Sequence, residues 1–121
     1  MPNSRQSAPT LVFDEVDSGI GGAEAAALGR KLRRLARGGQ ILAVTHLPQV
    51  ASQGDLHFKV SKQVVGERTN VRVAELATEP RVEEIARMLA GDALTPTSLS
   101  HARELIEGAG AAERRPARAR K

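Results

Sequence analysis

The chain has 121 residues, which is enough for one domain with a modest hydrophobic core. It contains no cysteine, so disulfides, thiolate metal sites and a cysteine nucleophile are excluded. No apolar run approaches the roughly 20 residues that span a bilayer, and the first residues lack the apolar segment of a signal peptide. We therefore expect no membrane contact and a cytoplasmic location.

The charge of the chain is concentrated at its C-terminal end. The net charge is +4, and residues 108–121 contain five basic residues against Glu113 alone. Lys and Arg clusters can contact phosphates, but an end rich in Ala, Arg and Gly is typical of a solvated, disordered tail. We predict disorder for residues 1–9, a folded unit over residues 10–107, and a disordered basic tail over residues 108–121.

The first predicted element is a buried strand that ends in two acids. An unbroken apolar run, Leu11 to Phe13, precedes Asp14 and Glu15, as in a fully covered parallel strand. Ligands bind at the carboxyl edge of such sheets. One carboxylate there can hold a hard cation through water while the other activates an attacking water, which is the Walker B pattern of nucleotide hydrolases. A helix cap or a solvated turn remains the alternative interpretation.

A helix and a second strand follow. Apolar residues recur at helical spacing and predict a helix over residues 23–37; they are Ala25, Leu28, Leu32, Leu35 and Ala36. We interpret the basic residues on its outer side as solvated rather than as a DNA contact; they are Arg30, Lys31, Arg33, Arg34 and Arg37. Residues 40–45 form a short apolar strand, so residues 11–45 have the length of a right-handed βαβ unit with parallel strands. His46 is then expected at the same edge as Asp14 and Glu15. There it could donate a hydrogen bond to a phosphate oxygen, although a structural histidine is the alternative.

The rest of the chain predicts a short helix, a hairpin and two helices. Residues 47–53 read as the short helix, and two runs of alternating polarity around Gly66 indicate the hairpin. His57 is placed on the polar side of the first run, so we expect it to be solvent-exposed and assign it no role. Apolar stripes over residues 81–90 and from Thr95 to Gly108 predict the last two helices.

Several blocks in a fixed order resemble a known family. LVFDEVDSGIGG, ILAVTHLPQVAS, HFKVSK, RVEEIARMLAG and SHAREL are similar to the C-terminal part of the bacterial RecN-type DNA repair ATPases, relatives of the SMC and ABC-type ATPases. The resemblance covers residues 10–107. It implies an α/β fold, namely one lobe of a P-loop ABC-type ATPase head, with a parallel βαβ unit, a β-hairpin and two C-terminal helices. It also implies ATP and Mg²⁺ as ligands of the complete head, head-to-head dimers, and DNA as the substrate in double-strand break repair and recombination.

The resemblance assigns roles to five residues. Asp14 corresponds to the Walker B aspartate that holds magnesium through water, and Glu15 to the general base that activates the hydrolytic water. Ser18 and Gly19 lie in the D-loop, which faces ATP and the partner head. His46 corresponds to the switch histidine that senses the γ-phosphate.

The sequence also departs from the family pattern. It contains no G-x-x-x-x-G-K-[ST] motif, no coiled coil and no signature motif of the Ser-Gly-Gly kind. Gly21 stands where many ABC-type proteins carry an aspartate. We predict that the chain alone neither binds ATP with useful affinity nor hydrolyses it, and that it needs the missing N-terminal half or the head of a full-length homologue. Without the P-loop strand, residues 40–45 should present an open apolar edge.

Two other functions are compatible with the residues alone. The first is a non-catalytic interaction or DNA-binding module that keeps the fold and uses the basic helix and tail. The second is a complete small hydrolase that uses Asp14, Glu15 and His46 on a metal ion. Two acids and one histidine leave too few ligands for a closed metal site, which disfavours this second function.

Overall fold

The computed structural model describes residues 9–14, 19 and 21–111. Predictions for Glu15, for Ser18, for residues 1–8 and for residues 112–121 lie outside the described residues. The described elements are β1 (Thr10–Asp14), α1 (Gly22–Leu35), a 3-10 turn (Ala36–Gly38), β2 (Gln40–Val44), α2 (Pro48–Ala51), β3 (Phe58–Val65), β4 (Arg68–Glu75), α3 (Thr78–Ala90) and α4 (Pro96–Gly108). The mixed α/β architecture expected from the sequence is confirmed.

The strands β1 and β2 form a parallel pair joined by α1. The register pairs Thr10 with Gln40 and Asp14 with Val44, so the predicted βαβ unit is confirmed. One face of the pair packs on α1 and α2, where Phe13 and Ile41 contact a buried cluster. The cluster consists of Ala25, Leu32 and Val50.

The opposite face of this strand pair is apolar and uncovered. Val12, Leu42 and Val44 are 64%, 48% and 57% exposed, respectively. Among the described strands, β2 pairs with β1 alone, so its other edge is open, as the sequence predicted. Parallel strands are normally covered on both faces, so this surface lacks a covering layer within the described part of the chain.

The hairpin β3–β4 is longer than its alternating pattern indicated. A two-residue turn at Gly66 and Glu67 joins the strands, and Gly66 has φ +62°, as two-residue hairpin turns require. The antiparallel register places five apolar residues on one face, all of them exposed. They are Phe58, Val60, Val64, Val71 and Val73.

Helices α3 and α4 pack against each other around a second cluster. Val82, Ile85, Ala86 and Ala102 are buried there, which confirms the apolar stripes read from the sequence. Thr95 and Ser98 form a reciprocal capping box that fixes the start of α4, with both side-chain to backbone distances at 3.0 Å. A bidentate pair between Arg103 and Glu79 links the exposed sides of the two helices.

The short helix α2 lies between the two clusters. Val50 is buried against α1 and the parallel strands, whereas Ala51 packs against the α3–α4 cluster. Leu35 was expected in the core but is 53% exposed, because α1 ends there and a 3-10 turn leads the chain away. None of the described helices combines the length and apolarity needed to cross a membrane.

Candidate functional site

The parallel register brings two of the predicted site residues to one edge of the sheet. Asp14 is the last residue of β1 and pairs with Val44, the last residue of β2. His46 follows Val44 by two residues, so it lies at the same carboxyl edge as Asp14. Both residues are exposed.

Asp14 shares its face of the sheet with the uncovered apolar residues. Side chains alternate along a strand, so Asp14 lies on the side of Val12 and opposite to Phe13, which contacts the core. Its register partner Val44 is on that same face. The carboxylate of Asp14 therefore lies at the end of the apolar face that no described element covers.

The chain turns sharply at His46. The hydroxyl of Thr45 accepts a hydrogen bond from the backbone N–H of Leu47 at 2.9 Å, which closes a local turn around His46. Pro48 then begins α2 at a position where the absence of an N–H carries no cost. His46 is thus held between the end of β2 and the start of α2.

The loop between β1 and α1 starts and ends at this same edge. Within it, Gly19 has φ +79°, a conformation that residues with a side chain rarely adopt. Glu15 and Ser18 belong to the same loop but lie outside the described residues. The structure therefore brings Asp14 and His46 to one edge, and it places Gly19 in the segment between β1 and α1.

The described residues could support a magnesium ion only in part. No group of three His, Asp or Glu side chains close enough to hold a metal occurs among residues 9–14, 19 and 21–111. One exposed carboxylate at a strand end suits contact through a water molecule, which is how Mg²⁺ commonly meets proteins. Asp14 fits such a role, and the remaining ligands must come from elsewhere.

Two arginines hold the segment that follows α2, and the sequence did not single them out. Nη2 of Arg81 donates to the carbonyls of Ala51, Ser52 and Gly54 at 3.1, 3.3 and 2.8 Å. Arg33 donates to the carbonyl of Gln53 and pairs with the carboxylate of Asp55 at 3.1 Å. Burial lowers the pKa of Arg81, with Asp55 opposing this shift and Arg33 adding to it.

The position of Arg33 corrects one sequence interpretation. It was grouped with a solvated basic face, but it is half-buried because α2 packs beside it. The other basic residues of that face are exposed, as expected. They are Arg30, Lys31, Arg34 and Arg37.

His57 is another correction, since it was expected to be exposed. It is half-buried next to β3, and its Nδ1 has no hydrogen-bond partner among the described residues. Burial lowers the pKa of His57, as do the charges of Arg81 and Lys59, while Glu84 opposes the shift. The helix α3, which brings Arg81 beside it, explains why local alternation misjudged this position.

The lowered pKa of His57 predicts a loss of stability in acid. The unfolded state binds a proton near pH 6.5, whereas the folded state resists protonation. The free energy of unfolding should therefore fall as the pH drops from about 6.5 through the folded pKa, and level off below it. Urea midpoints measured between pH 7.5 and 5 would check this. His57→Gln should weaken the dependence of the urea midpoint on pH. His101→Gln is the control, because this histidine of α4 is exposed, and it should leave that dependence unchanged. The same pH dependence in all three proteins would contradict the prediction.

One surface depression plays no part in the candidate site. It lies on the outer side of α1 and is lined by Lys31, Arg34 and Leu35. These residues belong to the C-terminal half of α1, which runs antiparallel to the strands and away from the edge that carries Asp14 and His46.

Comparisons with known proteins give a consistent result. The chain is similar to proteins described as DNA repair protein RecN: 52% identical over 100 residues to that of Deinococcus radiodurans, 48% over 106 to that of Treponema pallidum, and 40% over 107 to that of Bacillus subtilis. These matches cover 83%, 88% and 88% of this chain. The chain spans about a fifth of the length of these relatives, 18%, 18% and 19%. No family model matches.

A solved structure has the same fold. It comes from a study of ATP-driven dimerization and DNA-stimulated activation of SMC ATPases, and it superposes with a TM-score of 0.57 at 16% identity. The superposition covers 71% of this chain and 51% of the other. At this identity the likeness concerns the fold.

Proposed function

We propose that this chain, which belongs to the RecN family and corresponds to the C-terminal part of its members, supplies the Walker B and switch-histidine elements of an ATP-hydrolysing head in DNA repair. The observation that carries the proposal is the parallel register of β1 and β2, since it brings Asp14 and His46 to one edge. The RecN matches disfavour the alternative of a non-catalytic DNA-binding module, because they extend over 83–88% of this chain.

Each residue has a distinct task in this proposal. Asp14 would hold Mg²⁺ through water, and Glu15 would accept a proton from the attacking water. His46 would donate a hydrogen bond to the γ-phosphate, and Ser18 with Gly19 would face the nucleotide and the partner head. Bound Mg²⁺ and ATP would supply charge neutralisation and the scissile phosphoanhydride bond.

The uncovered surfaces support the view that the chain is one lobe of a larger head. The apolar face formed by Val12, Leu42 and Val44 requires a covering layer, and the edge of β2 is open. The sequence has no P-loop to cradle phosphates. The partner would be the missing N-terminal half, or the head of a full-length homologue, in a head-to-head dimer that acts on DNA.

A segment exchange tests the proposal. Residues 10–107 would replace the matching segment of the Deinococcus radiodurans RecN, and magnesium-dependent ATP hydrolysis would be measured. We expect the chimera to hydrolyse ATP and the isolated chain not to. Glu15→Gln in the chimera should lower kcat by about 10²-fold or more, as expected for loss of a general base. His46→Ala should also lower kcat, by at least tenfold.

His101→Ala provides the matched control, because this histidine is exposed on α4. It should leave hydrolysis unchanged. The proposal fails if the chimera with His46→Ala or Glu15→Gln keeps full activity. It also fails if the isolated chain hydrolyses ATP in a way that depends on Glu15.

A further inference from the structure

The helix α2 follows His46 in the chain and connects it to the two buried clusters. It begins two residues after His46 and is one turn long. In its first hydrogen bonds, the N–H groups of Val50 and Ala51 donate to the carbonyl of Leu47 at 3.1 and 3.0 Å. Leu47 is the residue that follows His46. The residue that follows His46 is therefore part of the hydrogen bonding of α2.

A helix this short is not stable by its own hydrogen bonds. The carbonyls of Pro48, Val50 and Ala51 accept hydrogen bonds from the N–H groups of Ser52, Gln53 and Gly54, so the chain remains turned for three residues after α2 ends. Four successive carbonyls, from Ala51 to Gly54, accept hydrogen bonds from guanidinium groups of two different helices. Arg81 of α3 serves three of these carbonyls and Arg33 of α1 serves the fourth.

The two arginines act from opposite sides of α2. Arg33 extends from the helix that packs on the parallel strands, and Arg81 from the helix of the α3–α4 cluster. Arg81 is half-buried, and its hydrogen bonds to the carbonyls of Ala51 and Ser52 are partly shielded from water, whereas the one to Gly54 is exposed. Arg81 thus joins three carbonyls at the end of α2 and just after it, in addition to the apolar packing of Val50 and Ala51.

We infer that Arg81, supported by Arg33, is a positioning residue for His46: it fixes α2 through the carbonyls of residues 51–54 and so sets where the imidazole stands at the sheet edge. The expected effect on ATP hydrolysis rests on the proposed function, whereas the effect of Arg81 on α2 concerns this chain alone. It also links the α3–α4 unit to the site, because a movement of α3 would be transmitted to His46.

Amide hydrogen exchange of the 121-residue chain tests the structural part. Arg81→Met keeps the apolar stem and removes the donors. We expect exchange at Leu47, Ala51 and Ser52 to accelerate at least tenfold, with exchange within α3 and α4 changed less than twofold. Arg81→Lys, which retains donors, should restore part of the protection. Arg103→Met, at an exposed arginine paired with Glu79, should leave residues 47–52 unaffected.

The same substitutions in the segment-exchange chimera test the kinetic part. Arg81→Met should lower kcat about tenfold while the KM for ATP stays within twofold, because a misplaced His46 affects the reacting state rather than nucleotide affinity. Arg81→Lys should recover part of kcat. The inference is overturned if Arg81→Met accelerates amide exchange in α3 and α4 as much as at residues 47–52. It is also overturned if amide exchange at residues 47–52 does not change. If His46→Ala leaves the chimera fully active, the proposed function fails, and the exchange result alone then decides whether Arg81 holds the turn.

Discussion

Replacement of Ile85 by alanine is expected to lower the free energy of unfolding by about 2–5 kcal/mol. Ile85 is fully buried at the centre of the α3–α4 cluster, in contact with residues from both helices. The substitution removes three buried carbon atoms and leaves a cavity that close-packed neighbours fill only in part. Urea unfolding followed by circular dichroism would measure the loss.

Val73→Ala is the matched control for Ile85→Ala. Val73 is 60% exposed on the apolar face of the hairpin, so its truncation should change the free energy of unfolding by roughly 0.5 kcal/mol or less. An Ile85→Ala protein as stable as the parent would show that the α3–α4 cluster is not the centre of the fold. A large loss with Val73→Ala would show that the hairpin face is covered in solution.

The second large effect is expected at Gly29, in the middle of α1. A Cβ atom there would lie 2.8 Å from the carbonyl oxygen of Gln49 and 3.3 Å from Cα of Val50, both backbone atoms of α2. In an exposed helix, Gly→Ala stabilises by about 1 kcal/mol. Here the new methyl group must displace α2, so we expect Gly29→Ala to destabilise by about 1–3 kcal/mol. Thermal and urea unfolding would show whether Gly29→Ala lowers or raises the free energy of unfolding.

Gly108→Ala is the matched control, because at this position Gly→Ala should not destabilise the fold. Gly108 ends α4, and no atom lies within 4 Å of the position a Cβ would take. The variant should be as stable as the parent or slightly more stable. If Gly29→Ala were also stabilising, the close approach of α1 and α2 would not exist in solution. Since α2 begins beside His46, Gly29→Ala should in addition loosen the His46 turn.

The elements of this fold follow from local patterns. The apolar run before Asp14, the stripes of α3 and α4, and the Gly66 turn each predicted the right element, because the period of the apolar residues differs between helices and strands. The predicted burial of β1 was wrong, since Leu11 and Val12 are 44% and 64% exposed. The common edge of Asp14 and His46 also followed from the sequence, since a crossover of this length makes the two strands parallel.

The errors arose where one element packs on another. Leu35 has the spacing of a core residue but is exposed because α1 ends beside it. His57 has the alternation of an exposed residue but is half-buried next to Arg81 and Glu84 of α3. Arg33 belongs to a basic run but reaches the carbonyl of Gln53. At His57 and Arg33 a distant segment changed the surroundings of a residue whose local pattern was ordinary, whereas Leu35 is exposed because its own helix ends.

The sequence by itself determined the order and type of the elements and the edge at which two site residues meet, because hydrophobic periodicity and crossover length are local properties of the chain. The tertiary structure alone decided how the segment after α2 is held. The contacts of Arg33 and Arg81 with the carbonyls of residues 51–54, and the close approach at Gly29, join segments 20 to 30 residues apart. A backbone carbonyl carries no side-chain identity, so no sequence pattern marks it as the partner of an arginine.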